Sequence, residues 1–310
     1  MNGISARPRL LGLICGAAAV GLGLAYLFAA GAPPRYLLVN LASLVLGATV
    51  WLALGRAAGS RLASTGAGVA VLALAVPLLL TALFGVAADG ASRWVRLGPL
   101  NLQVSLILLP VTTILCARRP DALGTLGMVL AAFALAIQPD RAMAGVLLAG
   151  LLAILCARPG RLPIVAAAAA MLAFGWTLLT PDTLPAVPYV DGVLYTSFAV
   201  HPFAGLAVVF GAVALVVPAA IGAARDEAER SALLAFGGCW AGVIVAAALG
   251  NYPTPLVGYG GSAVLGYMLS VALLPSGVRE MSRIGASESN AVDDQNSDRT
   301  ISELRIAGLA

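Results

Sequence analysis

The chain of 310 residues contains no lysine and a single histidine, and only 10% of its residues are charged. Soluble globular domains carry about 25% charged residues, so this scarcity excludes an ordinary soluble enzyme. The hydrophobic share of 60% agrees with that exclusion. All 18 cationic residues are arginines, and the net charge of +4 is interpreted as a signature of membrane topology, with no nucleic-acid partner expected.

Cysteine is also scarce and scattered. The four cysteines lie in or at the ends of apolar runs, and the sequence has neither a Cys-x-x-Cys motif nor a Cys/His cluster. Metal sites and disulfide frameworks are built from such clusters, so we predict no metal site and no disulfide scaffold. No cofactor is predicted, and a requirement for a divalent cation stays open.

Long apolar runs dominate the chain. A helix needs about 20 mostly apolar residues to cross the hydrocarbon core, and the sequence holds about ten such runs. We therefore predict an all-α polytopic membrane protein with about ten transmembrane helices. The first run is longer than the apolar part of a secretory signal and is predicted to be an uncleaved span. The predicted spans are 10–30, 37–55, 66–87, 102–117, 122–137, 142–157, 162–180, 197–223, 232–250 and 261–275, of which the fourth, fifth, sixth and tenth are short.

Arginine placement predicts the orientation. With the N-terminus in the cytoplasm, arginine pairs such as Arg118 and Arg119 fall on successive cytoplasmic segments, while the outer segments hold four arginines. This alternation follows the positive-inside bias and places both termini in the cytoplasm. Residues 1–276, with 14 arginines against 8 acids, are predicted to form the membrane domain. Residues 277–310, with 4 arginines against 6 acids, are predicted to be a disordered polar cytoplasmic tail.

Polar residues in an apolar chain are costly and indicate function. In one predicted outer segment, Arg93 and Arg96 flank Trp94, and Gln103 and Ser105 follow as the chain enters the membrane. One interpretation is an interfacial loop with Trp94 in the aromatic belt. The other is an anion site, because paired guanidinium donors match a phosphate.

Two further outer segments are irregular. Gln138-Pro139-Asp140-Arg141 closes the fifth span, and the local interpretation is a tight turn with an ion pair. The segment 251–262 holds two prolines and three glycines and cannot be a regular helix. Irregular backbone at membrane depth is tolerated only inside protein or along a wet cavity.

The loop between spans seven and eight carries two carboxylates, Asp182 and Asp191. Near the low-dielectric membrane surface, the pKa of a carboxylate can rise, which suits a general base. The alternative is a pair of solvated loop acids. His201, next to Pro202, is predicted to start a helix, with a role in the site as the alternative.

Three of these segments resemble, in order, the motifs of the SEDS family (shape, elongation, division and sporulation). The resemblance covers roughly residues 10–276, and ten spans with both ends cytoplasmic is also the family topology. The matching residues are Arg93-Trp94-x-Arg96-Leu97-Gly98-Pro99 with Gln103-x-Ser105, then Gln138-Pro139-Asp140, then Pro253-x-Pro255 with Tyr259-Gly260-Gly261-Ser262.

The resemblance implies a function. SEDS proteins polymerise lipid II, an undecaprenyl-diphosphate-linked disaccharide peptide, on the outer face of the bacterial cytoplasmic membrane, usually with a class B penicillin-binding transpeptidase. It implies Asp191 as the catalytic base, with Asp182 as the alternative, and Arg93, Arg96 and Arg141 as ligands of the diphosphate. Membrane lipids are expected to surround the protein. The residues expected to shape the cavity are Trp94, Gln103, Ser105, Gln138, Asp140, Pro253, Pro255, Tyr259, Gly260, Gly261 and Ser262.

The chain departs from the family pattern after Gln103-x-Ser105. Leu106 stands where the family has Glu, the lysine that usually follows is absent, and the loop around 181–196 is short. Two alternatives to a polymerase therefore stay open. One is a non-catalytic protein that binds the lipid-linked precursor or scaffolds the division or elongation machinery, and the other is a transporter of lipid precursors.

Overall fold

The structure, a computed structural model, describes residues 7–57, 66–88, 91–98, 100–181 and 184–277. The predicted cytoplasmic tail therefore lies outside the described residues, and the division at 276 stays a prediction. The described ranges hold twelve helices and three strands. These are α1 (Pro8–Ala29), α2 (Pro34–Ala57), α3 (Ala67–Phe84), β1 (Val86–Ala88), β2 (Ala91–Leu97), β3 (Leu100–Gln103), α4 (Val104–Arg118), α5 (Ala122–Ile137), α6 (Arg141–Ala157), α7 (Arg161–Leu179), α8 (Val193–Val200), α9 (Pro202–Ala214), α10 (Val217–Ala223), α11 (Arg230–Leu249) and α12 (Gly261–Ala272).

Every predicted span coincides with helix, but the lengths differ. Within the described residues, six segments are long and apolar enough to cross a membrane: α1, α2, α3, α7, the pair α9–α10, and α11. The apolar helices α4, α5, α6 and α12 are shorter. These four are the spans that the sequence marks as short, so the total of about ten spans and the cytoplasmic position of both termini stay predictions.

The eighth predicted span, 197–223, is not one helix. It is divided into α8, α9 and α10, and the segment long enough to cross a membrane is Pro202–Ala223. Pro202 has no N–H and disfavours helical backbone at the residue before it, so His201 is extended and α8 ends at Val200. His201 caps α9, because its Nδ1 accepts a hydrogen bond of 3.2 Å from the N–H of Phe203. His201 therefore has the helix-start position that the sequence predicts.

A small antiparallel sheet, with strand order β1-β2-β3, is an addition that the sequence analysis does not predict. Strands β2 and β3 form a hairpin in which Arg96 pairs with Asn101 and Trp94 pairs with Gln103. Gly98 lies where the hairpin reverses, and its φ of +58° is a conformation that glycine adopts without steric cost. The hairpin leads directly into α4 and so fixes the positions of Arg93 and Gln103.

Helix α12 lies at the centre of the bundle and contacts α1, α2 and α4. The core around it contains the fully buried side chains of Trp240, Phe236 and Tyr267. Helices α12 and α4 approach so closely that a Cβ on Gly266 would lie 2.2 Å from the carbonyl oxygen of Leu106. Small residues allow this close approach. In membranes, helices associate through such packing, because lipid provides no hydrophobic driving force between them.

Candidate functional site

Asp140 is the centre of a buried hydrogen-bond network. It caps α6, with Oδ1 accepting a hydrogen bond of 3.2 Å from the N–H of Met143. Its Oδ2 accepts from Nε2 of Gln103 at 3.1 Å and from Oγ of Ser105 at 3.2 Å. Asp140 is 1% exposed, and a buried carboxylate is tolerated where donors surround it in this way. The structure therefore brings together the first and second motifs of the sequence.

The third motif joins the same network through Ser262. The backbone N–H of Gln103 donates to Oγ of Ser262 at 3.0 Å. Gln103 ends β3 and Ser262 lies in the first turn of α12, so the bond joins the hairpin to the end of the segment 250–260. We call this segment, between α11 and α12, the α11–α12 segment.

The turn at 138–140 is held from two sides. Gln138, 1% exposed, donates from Nε2 to the carbonyl of Leu78 in α3 at 2.7 Å. Arg93, 3% exposed, donates from its guanidinium to the carbonyl oxygen of Pro139. Alternation along β2 buries Ala91 and Arg93 on one face, which explains how a charged side chain reaches this turn.

The two other predicted diphosphate ligands have different surroundings. Arg141 donates from Nε and Nη2 to the carbonyl of Thr177, both at 3.2 Å, and from Nη2 to Thr180 at 3.0 Å. It thereby ties the start of α6 to the end of α7. Arg96 is exposed near the tip of the hairpin, and Trp94 in the same strand is half-buried.

Asp191 lies in the loop 180–192 between α7 and α8, and its side chain is half-buried. Its Oδ2 accepts a hydrogen bond of 2.8 Å from the N–H of Val187. Burial raises the pKa of the Asp191 carboxyl above its ordinary value, and the hydrogen bond from Val187 offsets part of that rise. The direction of this shift is the one that suits a general base. Asp182, the alternative base, lies outside the described residues.

The loop 180–192 pairs with the α11–α12 segment. Asp191 forms an isolated antiparallel bridge with Pro253, and the N–H of Thr254 donates to the carbonyl of Val190 at 2.9 Å. The N–H of Tyr259 donates to the carbonyl of Tyr189 at 2.7 Å. The irregular backbone is therefore satisfied by protein, as its position in an apolar chain requires.

A small cavity lies between the Asp140 network and the bridged segments. Its volume is about 20 Å³, enough for about one water molecule. Gln103 and Pro253 both line it, together with apolar side chains of α4, α6 and α11. Asp191 therefore pairs with a residue, Pro253, that lines the same cavity as Gln103.

The remaining predicted cavity residues stabilise the α11–α12 segment. The ring of Tyr259 stacks on that of Tyr36, with centroids 3.8 Å apart. Pro255 is buried, and its carbonyl accepts from the N–H of Val257 at 2.7 Å. Gly261 packs so closely on α2 that a Cβ would lie 2.5 Å from Oγ of Ser43.

One residue that contacts this segment was missed by the sequence analysis. Asn40 of α2 is 0% exposed, and its Nδ2 donates to the carbonyl of Gly258 at 2.9 Å. Its Oδ1 accepts from the N–H of Gly260 at 3.1 Å. The available signal was a single amide inside the otherwise apolar predicted span 37–55.

Comparison with known proteins agrees with this architecture. The crystal structure of the Thermus thermophilus rod shape determining protein RodA is similar to this chain with a TM-score of 0.63 at 22% identity, covering 87% of this chain and 96% of that chain. The structure of an aspartate-to-alanine mutant of that RodA gives a TM-score of 0.63 at 21% identity with the same coverage. No family model matches the chain, and no curated protein matches it.

The chain therefore has the fold of a multi-pass, helical membrane protein of the SEDS type. The particular protein whose fold it shares is RodA. This finding confirms the predicted fold class and, at the level of the fold, the resemblance stated from the motifs.

Proposed function

We propose that this protein is a SEDS-type glycosyltransferase that polymerises lipid II at the outer face of the bacterial cytoplasmic membrane. The observation that carries the proposal is the convergence of the three motifs and the Asp191 loop. Gln103 bonds both Asp140 and Ser262, and Asp191 bridges Pro253, which lines the same cavity as Gln103. The likeness to a rod shape determining protein supports a role in cell-wall synthesis for shape or division.

Asp191 is the proposed base. In the reaction, a hydroxyl oxygen of the acceptor sugar bonds to the anomeric carbon of the donor, whose bond to the diphosphate breaks. The hydroxyl proton passes to the carboxylate, and the electron pair of the broken bond leaves with the lipid diphosphate. The raised pKa of Asp191 makes its carboxylate a better proton acceptor than an ordinary aspartate.

Three arginines are proposed to hold the departing diphosphate. Arg96 is exposed on the hairpin, where an incoming headgroup can reach it. Arg93 donates to the carbonyl of Pro139, beside Asp140. Arg141 donates from Nε and Nη2 to backbone carbonyls, and a guanidinium carries five N–H donors, so these bonds leave capacity for an anion. Positive groups placed where negative charge develops are a major source of rate enhancement.

The proposed setting follows from the proposed substrate. Lipid II presents its sugars and diphosphate at the outer surface, so the motif segments are placed on that side, with both termini in the cytoplasm. A class B penicillin-binding transpeptidase is the proposed partner, because new glycan strands need peptide crosslinks.

The test is polymerisation of fluorescent lipid II by the purified full chain in liposomes, with glycan length read on gels. We expect polymer from the wild type and a loss of about 100-fold or more in rate for Asp191→Asn, the contribution typical of a general base. Asp226→Asn is the matched control. It makes the same chemical change in the turn before α11, where Asp226 accepts from the N–H of Glu229, and it should retain the wild-type rate.

Two outcomes would overturn the polymerase proposal. One is full activity in Asp191→Asn. The other is a folded wild type that binds lipid II saturably and forms no polymer, which would identify a precursor-binding or scaffold protein instead.

A further inference from the structure

Asn40 holds the α11–α12 segment to helix α2 by both ends of its amide. Its donor meets the carbonyl of Gly258 and its acceptor meets the N–H of Gly260, at 2.9 and 3.1 Å. The carbonyl of Gly258 and the N–H of Gly260 thus find their hydrogen-bond partners on helix α2. A buried amide is costly unless it is hydrogen-bonded, and this one is bonded on both sides.

The backbone that Asn40 holds is bonded directly to the Asp191 loop. Tyr259, between the two clamped glycines, donates to the carbonyl of Tyr189, and Thr254 donates to Val190. Asp191 follows Val190 and bridges Pro253. Beyond the Asn40 amide itself, the path to Asp191 thus consists of backbone hydrogen bonds and covalent neighbours, without a further side chain in between.

Both bonded segments contain backbone that needs external support. Tyr189 has a φ of +65° and Leu256 a φ of +60°, in the left-handed region that non-glycine residues rarely adopt. Such conformations persist where the surrounding contacts determine them. Helix α2 supplies part of this support: the Tyr36 ring stacks on Tyr259 and meets the Tyr189 ring edge-on, and the Asn40 amide bonds the backbone on both sides of Tyr259.

We propose that Asn40 is a positioning residue, which sets the place of the Asp191 carboxylate by clamping the α11–α12 segment against the 180–192 loop. This inference rests on the proposed function for the role of Asp191. The two Asn40 hydrogen bonds that form the clamp are features of the fold, so they can be tested without an activity assay.

The first measurement is hydrogen–deuterium exchange of the full chain in lipid nanodiscs. Asn40→Leu keeps a side chain of similar size suited to an apolar helix and removes both hydrogen bonds. We expect at least about tenfold faster exchange in peptides covering 187–192 and 254–260. Asn40→Ser, whose hydroxyl is too short to span both glycines, should show the same change if the leucine variant folds poorly.

Ser270→Ala is the matched control. Ser270 is also 0% exposed, and its Oγ accepts from Nε1 of Trp240 at 3.1 Å. Its loss therefore removes a buried side-chain hydrogen bond elsewhere in the core. Exchange in the two peptides should be unchanged in this variant. Unchanged exchange in both Asn40 variants would overturn the clamp.

The second measurement separates positioning from general stability. A displaced base lowers the chemical rate, and misplacement by about 1 Å can cost about 100-fold. We expect Asn40→Leu to lower kcat at least about tenfold with the KM for lipid II within twofold, while Ser270→Ala keeps both values. Faster exchange with an unchanged kcat would overturn the positioning role. A wild type that forms no polymer would defeat the proposed function alone, and the exchange data would then decide the clamp by themselves.

Discussion

The side-chain amide of Gln103 donates to Oδ2 of Asp140, and this bond of 3.1 Å joins positions 37 residues apart in the chain. Because the backbone N–H of Gln103 also donates to Ser262, one residue connects the hairpin, the turn before α6 and the start of α12. The three motifs that resemble SEDS sequences therefore meet at one glutamine. The importance of this meeting point can be tested by substituting the partners of Gln103.

Removing the Asp140 carboxylate should destabilise the protein more than removing a simple helix cap. Asp140→Ala leaves the amide of Gln103 and the hydroxyl of Ser105 without their acceptor, at about 1–3 kcal/mol for each buried group. The loss of the cap on α6 adds about 1 kcal/mol. Chemical unfolding in mixed micelles should measure a total loss of about 3–7 kcal/mol.

Asp121→Ala is the control for this variant. Asp121 caps α5 by accepting from the N–H of Gly124 at 2.6 Å, and its loss should cost about 1 kcal/mol. Equal losses in the two variants would contradict the view that Asp140 joins separate segments.

The pH dependence of polymerisation should report the environment of Asp191. The proposed base, Asp191, would act as a carboxylate, so kcat/KM should fall as the pH drops through its pKa. Burial raises that pKa, so the acid limb should lie above the ordinary aspartate value of about 3.9. Initial rates measured from pH 4 to 8, on the order of half a unit apart, would locate the limb.

Asp191→Glu provides the comparison, because it retains a carboxylate and displaces it by one methylene. Any remaining activity should keep an acid limb, whereas the slow rate of Asp191→Asn should lose it. A wild-type limb at or below the ordinary value would contradict the rise in the pKa of Asp191 that its burial predicts.

The sequence alone singles out residues that are chemically unusual in an apolar chain. Asp140, Gln103 and Asp191 are polar where polarity is costly, and they lie at or beside the buried network and its cavity. The helices followed from run length, and even the four short spans were recognised as short. The free-energy cost of a polar side chain in lipid depends on that residue alone, so it can be judged at each position of the sequence.

What the sequence did not provide depends on long-range pairing. The β2–β3 hairpin covers residues 91–103, where polar and apolar residues alternate too irregularly for a strand pattern to be recognised. The break at Pro202 lies inside one long apolar run, which by itself predicts a single span. Asn40 was missed because its partners, 218 and 220 residues away, are backbone groups that carry no sequence signal.

Two arginines of one strand should respond differently to truncation. Arg96 is exposed, so Arg96→Ala should change the free energy of unfolding by no more than about 0.5 kcal/mol. If Arg96 binds the diphosphate, the lost charge-assisted bond of about 1.5–3 kcal/mol should weaken lipid II binding roughly 10- to 150-fold. Arg93→Ala should also destabilise the fold, because Arg93 is buried and donates to Pro139.

Arg225→Ala is the control for binding. Arg225 is likewise exposed but lies in the turn between α10 and α11, on the predicted cytoplasmic side. Binding measured with fluorescent lipid II in nanodiscs should be unchanged in this variant. The same weakening in Arg225→Ala and Arg96→Ala would indicate nonspecific attraction of the anion.

Substitution of a single glycine should show that the site depends on the approach of α4 and α12. Gly266→Ala would place a Cβ 2.2 Å from the carbonyl of Leu106, a backbone atom that cannot rotate away. The helices must separate, at a cost of about 1–3 kcal/mol or more. Because Gln103 precedes α4 and Ser262 lies in the first turn of α12, the bond between them should weaken and polymerisation should fall with stability.

Gly175→Ala is the control, because it makes the same change in α7 with no atom within 4 Å of the added Cβ. It should be neutral or stabilise the helix by about 0.5–1 kcal/mol. Thermal unfolding and polymerisation measured on both variants would decide this, and a Gly266→Ala protein as stable and active as Gly175→Ala would refute the close packing of α4 and α12.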